Sequence, residues 1–261
     1  MDHRAREEML VESVTINRGD FDAAIFDLDG VLTDTARVHA AAWKEVFDSF
    51  LQRSAQQHGL AFQPFDIEAD YLAYVDGRPR YDGVRSFLAS RGINLPEGSE
   101  HDPEGANTVH ALGERKTRLF RQALQQGIDP EPGAESLLKK LRQMGVGIAV
   151  ASSSKNCSAI LSAGGFDHLI DARVDGVDAD ELGLPGKPDP ALFLEAARRL
   201  RAQPSRTILF EDALAGVEAG RRAGFGSVVG IDRGRQSKAL RERGADIVIQ
   251  GLQDVDAVES L

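Results

Sequence analysis

Disulfide stapling is ruled out within the chain, because its one cysteine, Cys157, has no intramolecular partner. Such a sequence suits a reducing compartment, and Cys157 reads as a bystander thiol. Long apolar runs are also missing. None reaches the roughly 18 residues that a membrane span requires, and residues 1–18 lack the apolar stretch of a secretory signal. A cytoplasmic protein without a membrane partner is expected. Positive charge is in deficit, with 31 Lys and Arg against 41 Asp and Glu and a net charge of -10. That field repels nucleic acid at long range, so an anionic substrate needs a local cluster of donors or a metal. The basic segment RGRQSKALRERG (233–244) is short and helical in pattern, and no nucleic-acid partner is expected. Internal repeats and low-complexity segments are absent too.

What is present is enough apolar residue for a full core, 42% of 261 positions, which suits one large domain or two modest ones. DAAIFD (22–27) reads as a buried strand. From Ala36 to about Gly127 the pattern turns helical: His39, Ala42, Trp43, Val46, Phe47, Phe50 and Leu51 recur at three- and four-residue spacing. Residues 72–75, 84–88 and 109–124 extend that pattern, with breaks at Gly59, Pro64, Pro79, Pro96 and Pro103. After Gly133 short apolar runs return: VGIAVASSS (146–154), LIDARV (169–174), TILFED (207–212), SVVGI (227–231) and ADIVI (245–249). Helix-like stretches around Ala159, Glu195, Val217 and Leu240 separate them. The alternation predicts an α/β fold with a Rossmann-like parallel sheet, helices on both faces and an inserted helical domain. The expected division is 1–35 with 128–261 for the α/β core and 36–127 for the helical insert, with hinges near 33–36 and 128–133.

Ligands of open parallel sheets sit beyond the carboxyl ends of the strands, which makes those ends worth comparing. Asp27 and Asp29 follow the first strand, Ser152, Ser153 and Ser154 the second, and Glu211 and Asp212 the TILF strand. Lys187 lies in the loop GLPGKPDP. Four carboxylates brought together cannot all stay ionised without compensation. Hard oxygen donors with no Cys or His among them suit Mg2+ better than zinc. Serine hydroxyls, a lysine and backbone N–H groups near Ser153 to Asn156 suit a phosphate. A carboxylate such as Asp27 can attack phosphorus, and a second one two residues on can serve as acid and base. Strand alternation would put Asp27 and Asp29 on one side, with Gly30 allowing a sharp turn.

DLDGVLTDT, the serines from Ser152, GKPDP and FEDALAGVEAGRRAGF resemble, in order, the four signature motifs of the haloacid dehalogenase superfamily. Within it the chain resembles the beta-phosphoglucomutase family from about Phe21 to Ile249. The resemblance implies Asp27 as nucleophile, Asp29 as general acid/base, and Mg2+ held by Asp27, the carbonyl of Asp29, Asp212 and Glu211. It assigns Ser152, Lys187 and the N–H of Ser153 to the transferring phosphoryl group. DTARVHAAAW (34–43) resembles the opening of the cap, with His39 linked to closure and Trp43 among the residues near the substrate. Trp43 also heads an apolar stripe with Phe47, Phe50 and Leu51 that reads as core. In GRPRYDGV (77–84) the matching arginine for a distal phosphate is Arg80, a task shared by Ser154, Lys155 and Asn156. Lys116 in GERKTR matches a cap lysine.

The implied activity interconverts beta-D-glucose 1-phosphate and glucose 6-phosphate through an aspartyl-phosphate and glucose 1,6-bisphosphate. The alternative is a sugar-phosphate or phosphoglycolate phosphatase using the same nucleophile. A small-molecule sugar phosphate is the expected partner, bound by a monomer or weak homodimer. Longer insertions at 51–70 and 93–107 depart from the family pattern.

Overall fold

The computed structural model describes residues 12–75, 78, 80–103, 105–233 and 236–258. Of the segments read above, residues 1–11, Gly77, Pro79, Glu104, Gly234 and Arg235 lie outside these. The chain divides into two compact units, one of Met1–Asp34 with Ile128–Leu261 and one of Thr35–Gly127.

Among its described residues the first unit holds eight strands: β1 (Val14–Asn17), β2 (Ala23–Phe26), β3 (Gly147–Ala151), β4 (Ala172–Val174), β5 (Thr207–Glu211), β6 (Ser227–Ile231), β7 (Ile247–Ile249) and β8 (Val255–Val258). Six form one sheet in the order β4-β3-β2-β5-β6-β7, and every pairing in it is parallel. Each residue of β2 and of β5 is buried, which is why these segments show continuous apolar character instead of alternation. One sheet face buries Ile25, Ala149, Leu209, Val228 and Val248 against Leu192, Phe193, Val217 and Leu240. On neighbouring strands Phe26 and Phe210 are in register and their rings stack at 4.7 Å.

Chain order turns back at β2: β3 and β4 lie to one side of it, β5 to β7 to the other. The ends of β2, β3 and β5 therefore flank a topological switch point, where a crevice opens in sheets of this kind.

The second unit contains α1 (Thr35–His58), a π-helical turn (Tyr71–Val75), α2 (Arg80–Ser90) and α3 (Val109–Leu124). Its core joins Trp43, Val46, Phe47, Phe50 and Leu51 of α1 to Val84, Phe87, Leu88 and Leu112. Phe65, from the long insertion, is 1% exposed in the same cluster. Phe65 is fixed by its backbone as well, its N–H donating to Asp48 Oδ1 at 2.7 Å and its carbonyl accepting from Lys44 Nζ at 2.8 Å.

The first unit's helices follow as α4 (Ala134–Gln143), α5 (Cys157–Ala163), α6 (Gly176–Leu182), α7 (Ala191–Arg199), α8 (Leu214–Ala223) and α9 (Ser237–Arg243). One expected strand needs correction: that at 169–174 covers only Ala172–Val174, after a 3₁₀ turn at Asp167–Leu169. Strand β3 stops at Ala151, so Ser152, Ser153 and Ser154 follow it as expected, and the helical stretch expected at 72–75 is a π-helical turn. Strands β1 and β8, paired parallel as a separate two-stranded sheet, escaped the sequence reading altogether.

Candidate functional site

Strand β2 ends at Phe26, so Asp27 and Asp29 lie beyond it, and strand alternation does not place them as expected. Backbone hydrogen bonding takes over: Asp27 N–H donates to Phe210 O at 2.9 Å, and the turn after it closes through Gly30 N–H to Thr33 O at 2.8 Å. Gly30 has φ +85°, and a Cβ there would lie 2.1 Å from Asp212 Oδ2. The position needs glycine twice over, for its backbone and for the room that Asp212 occupies.

Lys187 joins the acids. Its Nζ donates to Asp27 Oδ1 at 2.5 Å and to Glu211 Oε2 at 2.7 Å. The other carboxylate oxygen of Glu211 accepts from the Ala213 N–H at 2.9 Å. Asp27, Glu211 and Asp212 each offer an oxygen, and these atoms lie within 4.8 Å of one another. Burial, together with the charges of Glu211 and Asp29, pushes the Asp27 carboxyl up to about 7 even though Lys187 opposes the shift. Asp212 is raised well above the usual carboxylate range by burial, then by Glu211 and Asp27. For Lys187 burial works against the ammonium, but the two carboxylates outweigh it and the net shift is upward. Lysine alone therefore leaves the cluster over-charged. The donor set is all oxygen and largely buried, which fits a hard divalent cation such as Mg2+.

The structure brings Ser152 to the same end of the sheet. It is 1% exposed, and its hydroxyl donates to Asp29 Oδ2 at 3.4 Å. The serine loop is partly self-satisfied, Ser154 N–H donating to Ser152 Oγ at 3.0 Å and Asn156 N–H to Ser154 Oγ at 3.2 Å. Ser153 is exposed. Helix α5 starts at Cys157 with Asn156 as its N-cap residue, so the N–H groups expected near Ser153 to Asn156 lead into a helix N-terminus. Lys155 is ion-paired with Asp180, and more than half of its side chain is exposed.

Arg233, read only as the start of a basic segment, is a neighbour the sequence reading missed. It pairs with Glu131, and its charge partly offsets the upward shift of Asp212. The one sequence signal is its position two residues past the end of β6.

In the helical unit α3 carries two groups of polar contacts. Lys116, 7% exposed, hydrogen-bonds His39. Its ammonium lies 4.8 Å from the ring centroid of Phe120 and 5.4 Å from that of Trp43, and His39 stacks on Phe120 at 4.0 Å. Lys116 is thus not the solvated charge its neighbours in GERKTR suggest. Trp43 stacks on Phe47 at 5.1 Å and belongs to the apolar core. Arg80, at the start of α2, bonds Glu114 and Thr117 of α3.

Known proteins resemble the chain along most of its length. The family model for haloacid dehalogenase-like hydrolases matches residues 21–224. A beta-phosphoglucomutase of Mycobacterium tuberculosis is 47% identical over 237 residues, which cover 89% of this chain and 90% of that protein. A fructose-1-phosphate phosphatase of Escherichia coli is 30% identical over 204 residues, 78% of this chain and 93% of the relative. Among solved structures, a beta-phosphoglucomutase from Clostridium difficile superposes with a TM-score of 0.67 at 27% identity, covering 89% of this chain and 92% of that one.

Proposed function

The chain belongs to the haloacid dehalogenase-like hydrolases, and on that premise we propose that it interconverts beta-D-glucose 1-phosphate and glucose 6-phosphate through glucose 1,6-bisphosphate. The observation that carries the chemistry is the contact of Lys187 with both Asp27 and Glu211 beside Asp212. Likeness to named beta-phosphoglucomutases over nine-tenths of their length favours a mutase over a hydrolase.

An Asp27 carboxylate oxygen forms the new bond to phosphorus as the bond from phosphorus to the sugar oxygen breaks. Asp29 gives its proton to that departing oxygen, and in the second half-reaction takes one from the sugar hydroxyl that attacks. Lys187 holds Asp27 in place and supplies one positive charge. Ser152 and the Ser153 N–H bind the phosphoryl oxygens. Asp27, Glu211 and Asp212, with the carbonyl of Asp29, would hold Mg2+, which when bound neutralises the acidic cluster and keeps Asp27 ionised at neutral pH. In the helical unit Arg80 is proposed to bind the second phosphoryl group of the bisphosphate, and Lys116 and His39 to serve the substrate; in the α/β unit Ser154, Lys155 and Asn156 are proposed as phosphate ligands.

The test is product analysis with beta-glucose 1-phosphate, Mg2+ and a trace of glucose 1,6-bisphosphate. Glucose 6-phosphate is the expected product. Release of inorganic phosphate without glucose 6-phosphate would instead assign the same residues to a sugar-phosphate phosphatase.

A further inference from the structure

Arg80 does not stand alone on α2. Its Nη1 donates to Glu114 Oε1 at 2.7 Å and to Thr117 Oγ1 at 2.6 Å. The next residue shares the same acceptor, Tyr81 OH donating to Glu114 Oε1 at 2.7 Å. Thr117 is itself tied down, its hydroxyl donating to Gly113 O at 3.2 Å. The Tyr81 ring also stacks on His110 at 4.0 Å. Glycine at 113 permits this closeness, since a Cβ there would lie 2.7 Å from the Tyr81 ring and 3.3 Å from Arg80 Cδ. Such an approach is shorter than carbon atoms tolerate. Residues 113, 114 and 117 fall on one side of α3 by helical spacing, and together they make a seat for one guanidinium.

We infer that Glu114, braced by Tyr81 and working with Thr117, is a positioning residue that presents Arg80 to the second phosphoryl group of a sugar bisphosphate. This inference rests on the reading of Arg80 given under Proposed function. The seat uses Nη1 for both hydrogen bonds that Arg80 makes among the described residues. Nε and Nη2 are left to meet a phosphate as a planar fork. The benefit comes from orientation, because Glu114 cancels the guanidinium charge at a distance and cannot strengthen attraction. A free arginine side chain must surrender rotamer freedom when it binds, and a seated one has already done so.

The experiment measures KM for glucose 1,6-bisphosphate and, separately, the rate of enzyme phosphorylation by acetyl phosphate, which has no second phosphoryl group. Glu114→Ala is expected to raise the bisphosphate KM about fivefold more than it slows phosphorylation by acetyl phosphate. Glu114→Gln keeps an oxygen acceptor for both Arg80 and Tyr81, and should restore KM to within about twofold of the unsubstituted protein. In an Arg80→Ala background, Glu114→Ala should add nothing to KM. Additive effects in that background, or equal losses with both phosphoryl donors, would make Glu114 a structural residue and overturn the inference while leaving the mutase reading intact. An unchanged bisphosphate KM for Arg80→Ala alone would instead remove Arg80 from phosphate binding and overturn the inference with it, while product analysis would still decide the mutase reading.

Discussion

The two units hold their charged groups by different means. In the α/β unit Asp27, Lys187 and Glu211 are almost wholly enclosed; the two acids are placed by strand ends that parallel hydrogen bonding fixes, and Lys187 reaches them from the loop before α7. In the helical unit Arg80 and Glu114 remain about one-third exposed, and their positions follow from side-chain contacts between two helices. A buried cluster gains strength from its low dielectric and suffers when one member is removed. A half-exposed pair gains little net energy, so its value lies in geometry. Charge in the first region should therefore govern chemistry and stability together, whereas charge in the second should govern affinity.

The sharpest break in that comparison is Asp27→Asn. It should lower formation of the phosphoenzyme on the order of 10^4-fold, read by incorporation of labelled phosphate, since no other nucleophile replaces the lost carboxylate. Lys187→Met comes next. It leaves Asp27 and Glu211 facing each other without a cation and should cost about 3 kcal/mol in urea denaturation. Millimolar Mg2+ should recover part of that loss. The matching change in the helical unit, Arg80→Met, should cost less than about 1 kcal/mol in the same measurement. Equal costs for Lys187 and Arg80 would erase the distinction between the two regions.

The smallest effect concerns a charge cluster of the α/β unit away from the strand ends. Hydrogen bonds from Arg198, then from Arg199, outweigh the opposing effect of burial and hold the Glu195 carboxyl down at about 2. A depressed carboxyl stabilises the fold above its ordinary value near 4.5, and the stabilisation disappears as pH falls toward 2. Wild-type protein should thus exceed Glu195→Gln by less than about 1 kcal/mol at pH 6, and the gap should close near pH 2. A gap that persists at pH 2 would mean that packing, not charge, is responsible.

How much was legible in the sequence follows the same division. The ends of α3 and of β6 coincide with the expected segments 109–124 and 227–231, because α3 has a clear helical period and β6 is a short apolar run with a glycine before it and an aspartate after it. The acids could be named because parallel strands deliver their carboxyl ends to one end of the sheet, whereas Lys187, in a loop between helices, could be named because the motif GKPDP resembles a family signature. The turn that separates Asp27 from Asp29 was misread as continued strand, since DLDG carries no marker of where pairing stops. The β1–β8 pair was missed for another reason. VTIN and VDAV are four residues each, too short to show a period, and their partners lie at opposite ends of the chain. Phe65 sits among polar and proline-bearing neighbours with no repeat to announce burial. The Glu114 seat was hidden as well, because a charge run such as GERKTR does not reveal which of its members face a neighbouring helix.

The place of β2 between β3 and β5 has a consequence for biosynthesis. Asp27 must wait for a lysine 160 residues further along the chain, and β2 has no sheet neighbour until the ribosome has made residues 147–151. The helical unit, by contrast, is one uninterrupted stretch whose apolar contacts are all available once residue 127 has left the exit tunnel. The helical unit therefore can fold before the sheet does, while β2 stays without its sheet neighbours until later strands are made.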